Sequence, residues 1–194
     1  MTGDSRSALI EQYRRGHAEV VQALEAVTAG ELDRRRAPTE WSIREVVHHL
    51  ADSEIIAALR LRRLLAEESP MIQSFDQEAY ARQLRYDSRP IEAALRMIEV
   101  ARATTLELLA EIAEAEWQRA GIHDERGRYT IERWLELNAN HAHEHAEQIR
   151  RIRAANDSPS RTPTQNVPPP PPPAPPPDEP FENPPPPAAP LPSA

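Results

Sequence analysis

The sequence predicts an all-α fold, a four-helix bundle followed by a disordered proline-rich tail. Apolar residues recur every three or four positions through four long stretches, and alternating patterns typical of strands are nearly absent. Of the 21 prolines, 18 lie after residue 158, in runs such as VPPPPPPAPPPDEP that cannot bury apolar surface. We therefore expect one domain over residues 1–158 and a tail over residues 159–194.

Each predicted helix follows from local signals. The first spans Ser5 to Val27 on the spacing of its apolar residues. The second follows PTEW and continues through SIREVVHHLADSEIIAALRLRRLLAEE. For the third, DSRPIEAALRMIEVARATTLELLAEI, Ser88 is the predicted cap and Pro90 lies in the first turn. Thr130 opens the fourth, TIERWLELNANHAHEHAEQIRRIRAA, after a turn at HDERGRY. Two longer connections are expected to pass over a bundle end.

Composition excludes several functional classes. The formal charge of −8 offers no basic field for nucleic acid. Neither a run of 18 apolar residues nor a secretory signal is present, so no membrane association and a cytoplasmic location are expected. Cysteine and lysine are both absent, which removes a protein thiol nucleophile and Schiff-base chemistry. The five glycines are scattered, which argues against a phosphate-binding loop or a serine nucleophile elbow.

The stretch NANHAHEHAEQI carries three histidines at alternate positions. On a helix, His141 and His145 lie only about 40° apart, whereas His143 points about 200° away from His141 and is expected to face solvent. Two inward histidines at this spacing can bind one divalent ion. Ala142 follows the first histidine, where a zinc protease of the H-E-x-x-H type has its glutamate, so that class is excluded. Hydrogen-bonded core histidines remain the alternative.

A third ligand is expected from the second helix. His49 borders the apolar stripe of that helix, whereas His48 lies nearly opposite its centre. Residues on a polar line beside His49 can orient an imidazole or contact a bound molecule, and a solvated face is the alternative; they are Ser42, Glu45, Asp52, Ser53 and Arg60. His17, on the apolar side of the first helix, is expected to be buried or to support the site.

Four blocks resemble the DinB-like superfamily in order and separation: WSIREVVHHLADSE, MIQSFDQEAY, HDERGRYTIERWL and HAHEHAEQI. The closest likeness is to its YfiT branch of metal-dependent hydrolases and bacillithiol transferases, and it covers about residues 5–153. The resemblance implies an up-down-down-up bundle, commonly a homodimer, that holds zinc or nickel. The ligands it implies are His49, His141 and His145. The sequence departs from the usual blocks of this family at Tyr80, Glu144 and Gln148. The proline-rich tail has no counterpart in the family pattern.

Three histidines leave a coordination position open, which is typical of a catalytic metal. Such an ion can activate water, or bind an external low-molecular-weight thiol and deliver it to an electrophile. We therefore expect a metal-dependent enzyme acting on a small-molecule substrate, either a hydrolase or a thiol S-transferase. The alternative is a non-catalytic metal-binding or dimerisation module whose tail recruits a proline-reading protein.

Overall fold

The four long helices that the sequence predicts are present in a computed structural model, which describes residues 1–157. They are α1 (Gly3–Ala23), α2 (Ile43–Ala66), α4 (Glu92–Glu111) and α5 (Ile131–Asp157). The connections hold a short helix α3 (Gln77–Gln83), a 3-10 helix (Glu114–Gln118) and the strands β1 (Met71–Ile72), β2 (Ala120–His123) and β3 (Gly127–Thr130). The predicted four-helix bundle is confirmed. The predicted tail and its boundary lie outside the described residues.

Polar side chains cap the starts of α2 and α5; the Thr130 cap was predicted, whereas Ser42 was predicted only to lie on the polar line beside His49. Ser42 and Glu45 form a reciprocal capping box on α2, in which the Ser42 amide donates to the Glu45 carboxylate at 2.6 Å. The Thr130 hydroxyl accepts the Arg133 amide at 3.0 Å at the start of α5. The predicted start of the third helix is wrong. Its first residue is Glu92, the N-cap position is Ile91 without a side-chain hydrogen bond, and the Ser88 hydroxyl donates instead to the Arg85 carbonyl at 3.4 Å.

Helices α1 and α5 lie side by side and run in the same direction. Arg6 pairs with Glu132 at 2.9 Å near their starts, and Glu19 pairs with Arg150 at 2.7 Å near their ends. Helix α2 runs opposite to α5, since His49 faces His141 while the carbonyl of Ala57 accepts the Trp134 indole at 2.8 Å.

Helices α2 and α4 are also parallel neighbours. Arg102 of α4 binds Glu54 at 2.8 Å, and further along both helices Arg62 of α2 donates to Thr104 of α4 at 3.1 Å. The four helices therefore run up, down, down and up. A parallel α2–α4 pair requires the chain to return along the bundle between them, which explains the length of the crossover segment, residues 67–91.

The apolar core consists of two clusters stacked along the bundle. One includes the α2 residues up to Ala51 and the α5 residues from Ala142, and the other includes α2 from Ala57 and α5 up to Ala139. Fully burying one large apolar side chain stabilises the fold by about 1.5–3 kcal/mol. The polar residues Ser53, Glu54 and His141 fall between these ranges in sequence, so a polar layer separates the two clusters.

A small three-stranded sheet, not predicted from the sequence, covers one side of the bundle. β2 pairs in parallel with β1 of the crossover segment and antiparallel with β3, which forms a hairpin around the predicted HDERGRY turn. Gly121 permits this pairing, because a Cβ there would collide with the Pro70 carbonyl and lie 3.0 Å from the Pro70 Cγ. The sheet fixes the crossover segment to the hairpin beside α2 and α5.

None of the helices in residues 1–157 is long and apolar enough to cross a lipid bilayer.

Candidate metal centre

Three imidazoles from α2 and α5 converge on one point. One ring nitrogen from each of His49, His141 and His145 lies within 4.8 Å of the other two. The ring centroids are 4.7 Å apart for His141 and His145, and 4.8 Å apart for His49 and His145. His49 is buried and the two α5 histidines are half-buried. These are the same three histidines that the helical wheels selected as candidate ligands.

A hydrogen bond orients one ring of this histidine cluster. The Nδ1 of His145 lies 2.7 Å from the side-chain oxygen of Gln148, so Nδ1 carries the proton and Nε2 presents a lone pair. That Nε2 is 3.2 Å from the Nε2 of His141. Two nitrogens bound to one tetrahedral zinc ion are roughly 3.3–3.4 Å apart, given Zn–N bonds of about 2.0–2.1 Å. The separation of the α5 pair therefore fits a divalent ion.

The environment holds all three imidazoles neutral. Burial lowers the pKa of His49 to about 3, and the neighbouring His145 and His141 add to the shift. Burial also lowers the pKa of His141 to about 3, assisted by His145 and Arg102. For His145, burial lowers the pKa while the Gln148 hydrogen bond opposes the shift. Neutral imidazole is the form that binds metal, so the donor set suits an ion at neutral pH.

Side chains around His49 restrict its ring. The Ser53 hydroxyl lies 3.3 Å from Nε2 of His49, one helical turn along α2. Trp41 packs against the same ring with centroids 4.6 Å apart, and Phe75 of the crossover segment stacks at 6.5 Å. Ser53 is the residue of the predicted polar line that contacts the histidine cluster.

His48 is buried and His143 is half-buried, in ways that the helical wheel did not predict. His48 lies apart from the cluster, as expected, but it is only 2% exposed; it stacks on Tyr86 and lies 3.2 Å from the Arg89 carbonyl. The prediction that His143 faces solvent is wrong. Its Nε2 is 2.8 Å from the carbonyl of Gln12, because α1 packs along that side of α5.

Several predicted supporting residues lie elsewhere. Glu45 caps α2 and pairs with Arg35 at 2.6 Å, so its carboxylate is used at the helix start. Asp52 accepts the Tyr86 hydroxyl on the side of His48. His17 lies in a separate surface groove between α1 and α4. Neither the cap nor the groove is visible in a single-helix wheel, which contains no information about neighbouring segments.

A cavity of about 380 Å³ opens beside the cluster. It is lined from α2, α5, the crossover segment and the hairpin, by residues that include His49, Ser53, Arg60, Phe75, His123, Arg126, Tyr129, Asn138, His141 and Glu144. Arg60 therefore faces this pocket, as the predicted polar line allowed. His123 is buried and contributes to the wall.

A second group of possible ligand atoms, His123, Asp124 and Glu125, has structural partners. The Asp124 carboxylate accepts the Ser74 amide and hydroxyl, each at 2.9 Å, and the Glu125 amide donates to His123 Nδ1 at 3.2 Å. These bonds tie the crossover segment to the hairpin.

A buried polar network behind the cluster was missed. Arg102 donates to Glu54 at 2.8 Å and to the Tyr13 carbonyl, the Tyr13 hydroxyl donates to Glu54, and both charged side chains are 3% exposed. Burial raises the pKa of Glu54, against the opposing effect of Arg102. A sequence signal existed, since each charged residue interrupts the apolar stripe of its helix.

Comparison with known proteins agrees with this geometry. The model of the DinB superfamily matches residues 12–149. The chain belongs to the DinB superfamily. Three relatives carry the name "Putative metal-dependent hydrolase". OB0782 of Oceanobacillus iheyensis is 33% identical over 56% of this chain, and the match spans 63% of that relative, under two thirds of its length. YfiT of Bacillus subtilis is 29% identical over 68% of this chain and 75% of its own. OB0413 of O. iheyensis is 30% identical over 78% of this chain and 84% of its own.

Solved structures resemble this DinB-superfamily chain as well. Bacillus subtilis YfiT, described as a probable metal-dependent hydrolase with an unusual four-helix bundle topology, superposes with a TM-score of 0.75 at 26% identity, over 81% of this chain and 91% of that one. The mycothiol-dependent maleylpyruvate isomerase superposes with a TM-score of 0.59 at 15% identity, over 77% of this chain and 63% of that one, and that likeness concerns the fold alone.

Proposed function

We propose that this protein is a divalent-metal-dependent enzyme whose ion is held by His49, His141 and His145, and that it is a hydrolase or a small-thiol S-transferase. The observation that carries the proposal is the convergence of three neutral imidazoles beside an open cavity. The similarity to relatives named as metal-dependent hydrolases supports the same class.

The protein groups have distinct roles in this proposal. A bound ion supplies Lewis acidity, which activates water for hydrolysis or an external thiol for transfer to an electrophile. Gln148 holds the proton of His145 on Nδ1, so that Nε2 is available as a ligand. Trp41 and Phe75 pack beside His49 and reduce the access of water to that side of the site. No catalytic acid or base is assigned.

The experiment compares bound metal per chain for wild type, His145→Ala and His143→Ala, purified without a histidine tag. We expect His145→Ala to lose most of the metal and His143→Ala to keep it. His143 is the matched control because it lies two residues away on the same helix and contacts the Gln12 carbonyl instead of the cluster. Helical content should change little in either variant, because the apolar clusters do not depend on the ion. Equal metal content in all three proteins would contradict the site.

Turnover then separates the two chemistries. Each protein is assayed with simple esters and amides, and with small thiols offered together with electrophiles. We expect activity to follow metal content across the three proteins. Metal loss without loss of turnover would contradict the catalytic role of the ion, whereas bound metal without turnover on any substrate would favour the non-catalytic module. That alternative also predicts that deletion of residues 159–194 abolishes binding of a proline-reading partner, whereas an enzyme keeps its turnover.

Finer features belong to the same proposal. We propose zinc or nickel as the ion, because both accept imidazole nitrogen. We also propose a cytoplasmic homodimer; exposed apolar side chains on the neighbouring helices α2 and α4, namely Ile55, Leu59 and Val100, supply a surface for association. Sedimentation of wild type and Leu59→Glu tests the dimer, which the added charge should dissociate.

A further inference from the structure

The cavity beside the histidine cluster has two chemically different ends. On α2 its wall runs from His49 through Ser53 and Ala57 to Arg60, residues that share one helical face. Arg60 follows His49 by eleven positions on the helix, about 16 Å between their Cα atoms. The side chains of both residues lean towards the N-terminus, but that of Arg60 is longer, so its guanidinium lies roughly 10–16 Å from the histidines. A small molecule can therefore span both ends.

Arg60 has hydrogen-bonding capacity that the protein leaves unused. One terminal nitrogen donates to the carbonyl of Gln73, which fixes the side chain against the crossover segment. Its Nε is buried and has no hydrogen-bond partner among the described residues, and residues 1–157 offer it no ion pair. A buried donor without a partner is unfavourable, because it has lost its hydrogen bonds to water. An oxyanion that enters the cavity would satisfy it.

Arg126 adds positive charge at the same end. It lies in the hairpin turn and lines the cavity. Arg60, His123 and Arg126 line the same cavity. Burial lowers the pKa of His123, and the charges of Arg60 and Arg126 lower it further against the opposing charges of Asp124 and Glu125. Two acidic residues also line the cavity. Glu144 accepts the Asn140 amide at 2.6 Å and lies beside the histidine cluster, and Glu125 precedes Arg126 in the exposed turn, so Arg60 and Arg126 leave this end with one net positive charge.

We propose that Arg60, assisted by Arg126, binds an oxyanion group of the substrate, a carboxylate or a phosphate, while the reacting group of the same molecule lies at the histidine cluster. This inference rests on the proposed function only for the part of the substrate that reacts at the histidine cluster. It identifies the substrate class as small anionic molecules whose charge lies roughly 10 Å from the reacting atom. A planar guanidinium with a free Nε suits such a group, since it donates in a fork that matches two oxyanion oxygens.

The first test uses metal-free protein. The nitrogen-15 resonance of the Arg60 Nε–H group is followed during titration with glutarate, inorganic phosphate and the neutral glutaramide. We expect a saturable shift with one or both anions and none with glutaramide, and the preferred anion identifies the oxyanion. In calorimetry, Arg60→Gln should weaken binding of that anion about tenfold. Arg62→Gln is the matched control, because Arg62 lies two residues away but faces Thr104 of α4.

The second test uses zinc-loaded protein and two thiols of equal length, 6-mercaptohexanoate and 6-mercaptohexanol. We expect the carboxylate to bind about tenfold more tightly in wild type and Arg62→Gln, and the two thiols to bind equally in Arg60→Gln. Arg126→Gln, in an exposed turn, should reduce the preference about threefold and remains informative if Arg60→Gln unfolds. If neither thiol binds and zinc is not retained, the proposed function fails and the metal-free titration still decides the anion site. Equal affinity of anionic and neutral probes in wild type overturns this inference.

Discussion

The buried pair Glu54–Arg102 is expected to show strong energetic coupling. Arg102→Met removes the charge at similar volume and leaves the Glu54 carboxylate with only the Tyr13 hydroxyl as donor. Glu54→Leu leaves a guanidinium that cannot lose its proton and whose NH2 group already lacks a partner among the described residues. Breaking a buried pair by removing one partner costs about 3–5 kcal/mol. We expect the unfolding free energy to fall by about 3 kcal/mol in Arg102→Met and by an amount in the upper part of that range in Glu54→Leu.

The unfolding free energy of the double variant is the decisive measurement. With both charges replaced by apolar groups, the desolvation cost of the pair disappears, and only the Tyr13 hydroxyl and carbonyl lose partners, at about 1 kcal/mol each. The double variant should therefore lose at most about 2 kcal/mol of unfolding free energy relative to wild type, well below the sum of the losses in the two single variants. Urea unfolding followed by circular dichroism measures the four proteins of the cycle. Single changes below 1 kcal/mol, or a double change equal to their sum, would refute the reasoning.

Two further predictions concern the same region. Gly16→Ala should destabilise the fold by about 1–3 kcal/mol or more, because the added Cβ would lie 2.8 Å from the Ala142 Cβ and would collide with the Arg102 guanidinium. In the Arg102→Met background the loss of stability should be smaller. An unchanged loss would contradict this contact. In metal-free protein, two histidines of the cluster have a folded-state pKa of about 3, below the unfolded value of about 6.5, so the unfolded state binds more protons and stability should fall as pH drops from about 6.5 towards 3. The unfolding free energy should change by at most about 1.4 kcal/mol per pH unit for each histidine. Urea midpoints measured at several pH values should depend less on pH in His141→Gln than in wild type.

Helix phase predicted the long helices and the inward histidines because both depend on local spacing. His141, His145 and His49 lie where a single-helix wheel places them, since α2 and α5 bury the faces that carry them. The wheel failed where a neighbouring segment covers a polar face. His48 is buried near the Arg89 carbonyl and Tyr86, and His143 is covered by α1, and neither contact leaves a periodic signal in its own helix.

The connections were least predictable for a related reason. β1 has two residues and pairs with a strand about 50 positions later, so its formation depends on a distant partner and on the close approach that Gly121 permits. Glu54 and Arg102 could have been inferred as a pair, because each is a charged residue on an apolar stripe. The sequence alone does not show that the two stripes meet at the same level of the bundle.

The proposed metal ligands and most of the residues proposed to select the substrate come from different parts of the chain, although Arg60 lies on α2 together with His49. The histidine cluster projects from α2 and α5, which are fixed by the core, and the buried network of Arg102 supports the same level of the bundle from behind. Phe75, His123 and Arg126, in contrast, come from the crossover segment and the hairpin, which are held to each other by the small sheet and the Asp124 bonds to Ser74. Connections tolerate substitution better than packed helices do. Changes in these two connections should therefore alter which anionic molecule is accepted while metal content stays constant, and the arginine end of the cavity is where such changes act most directly.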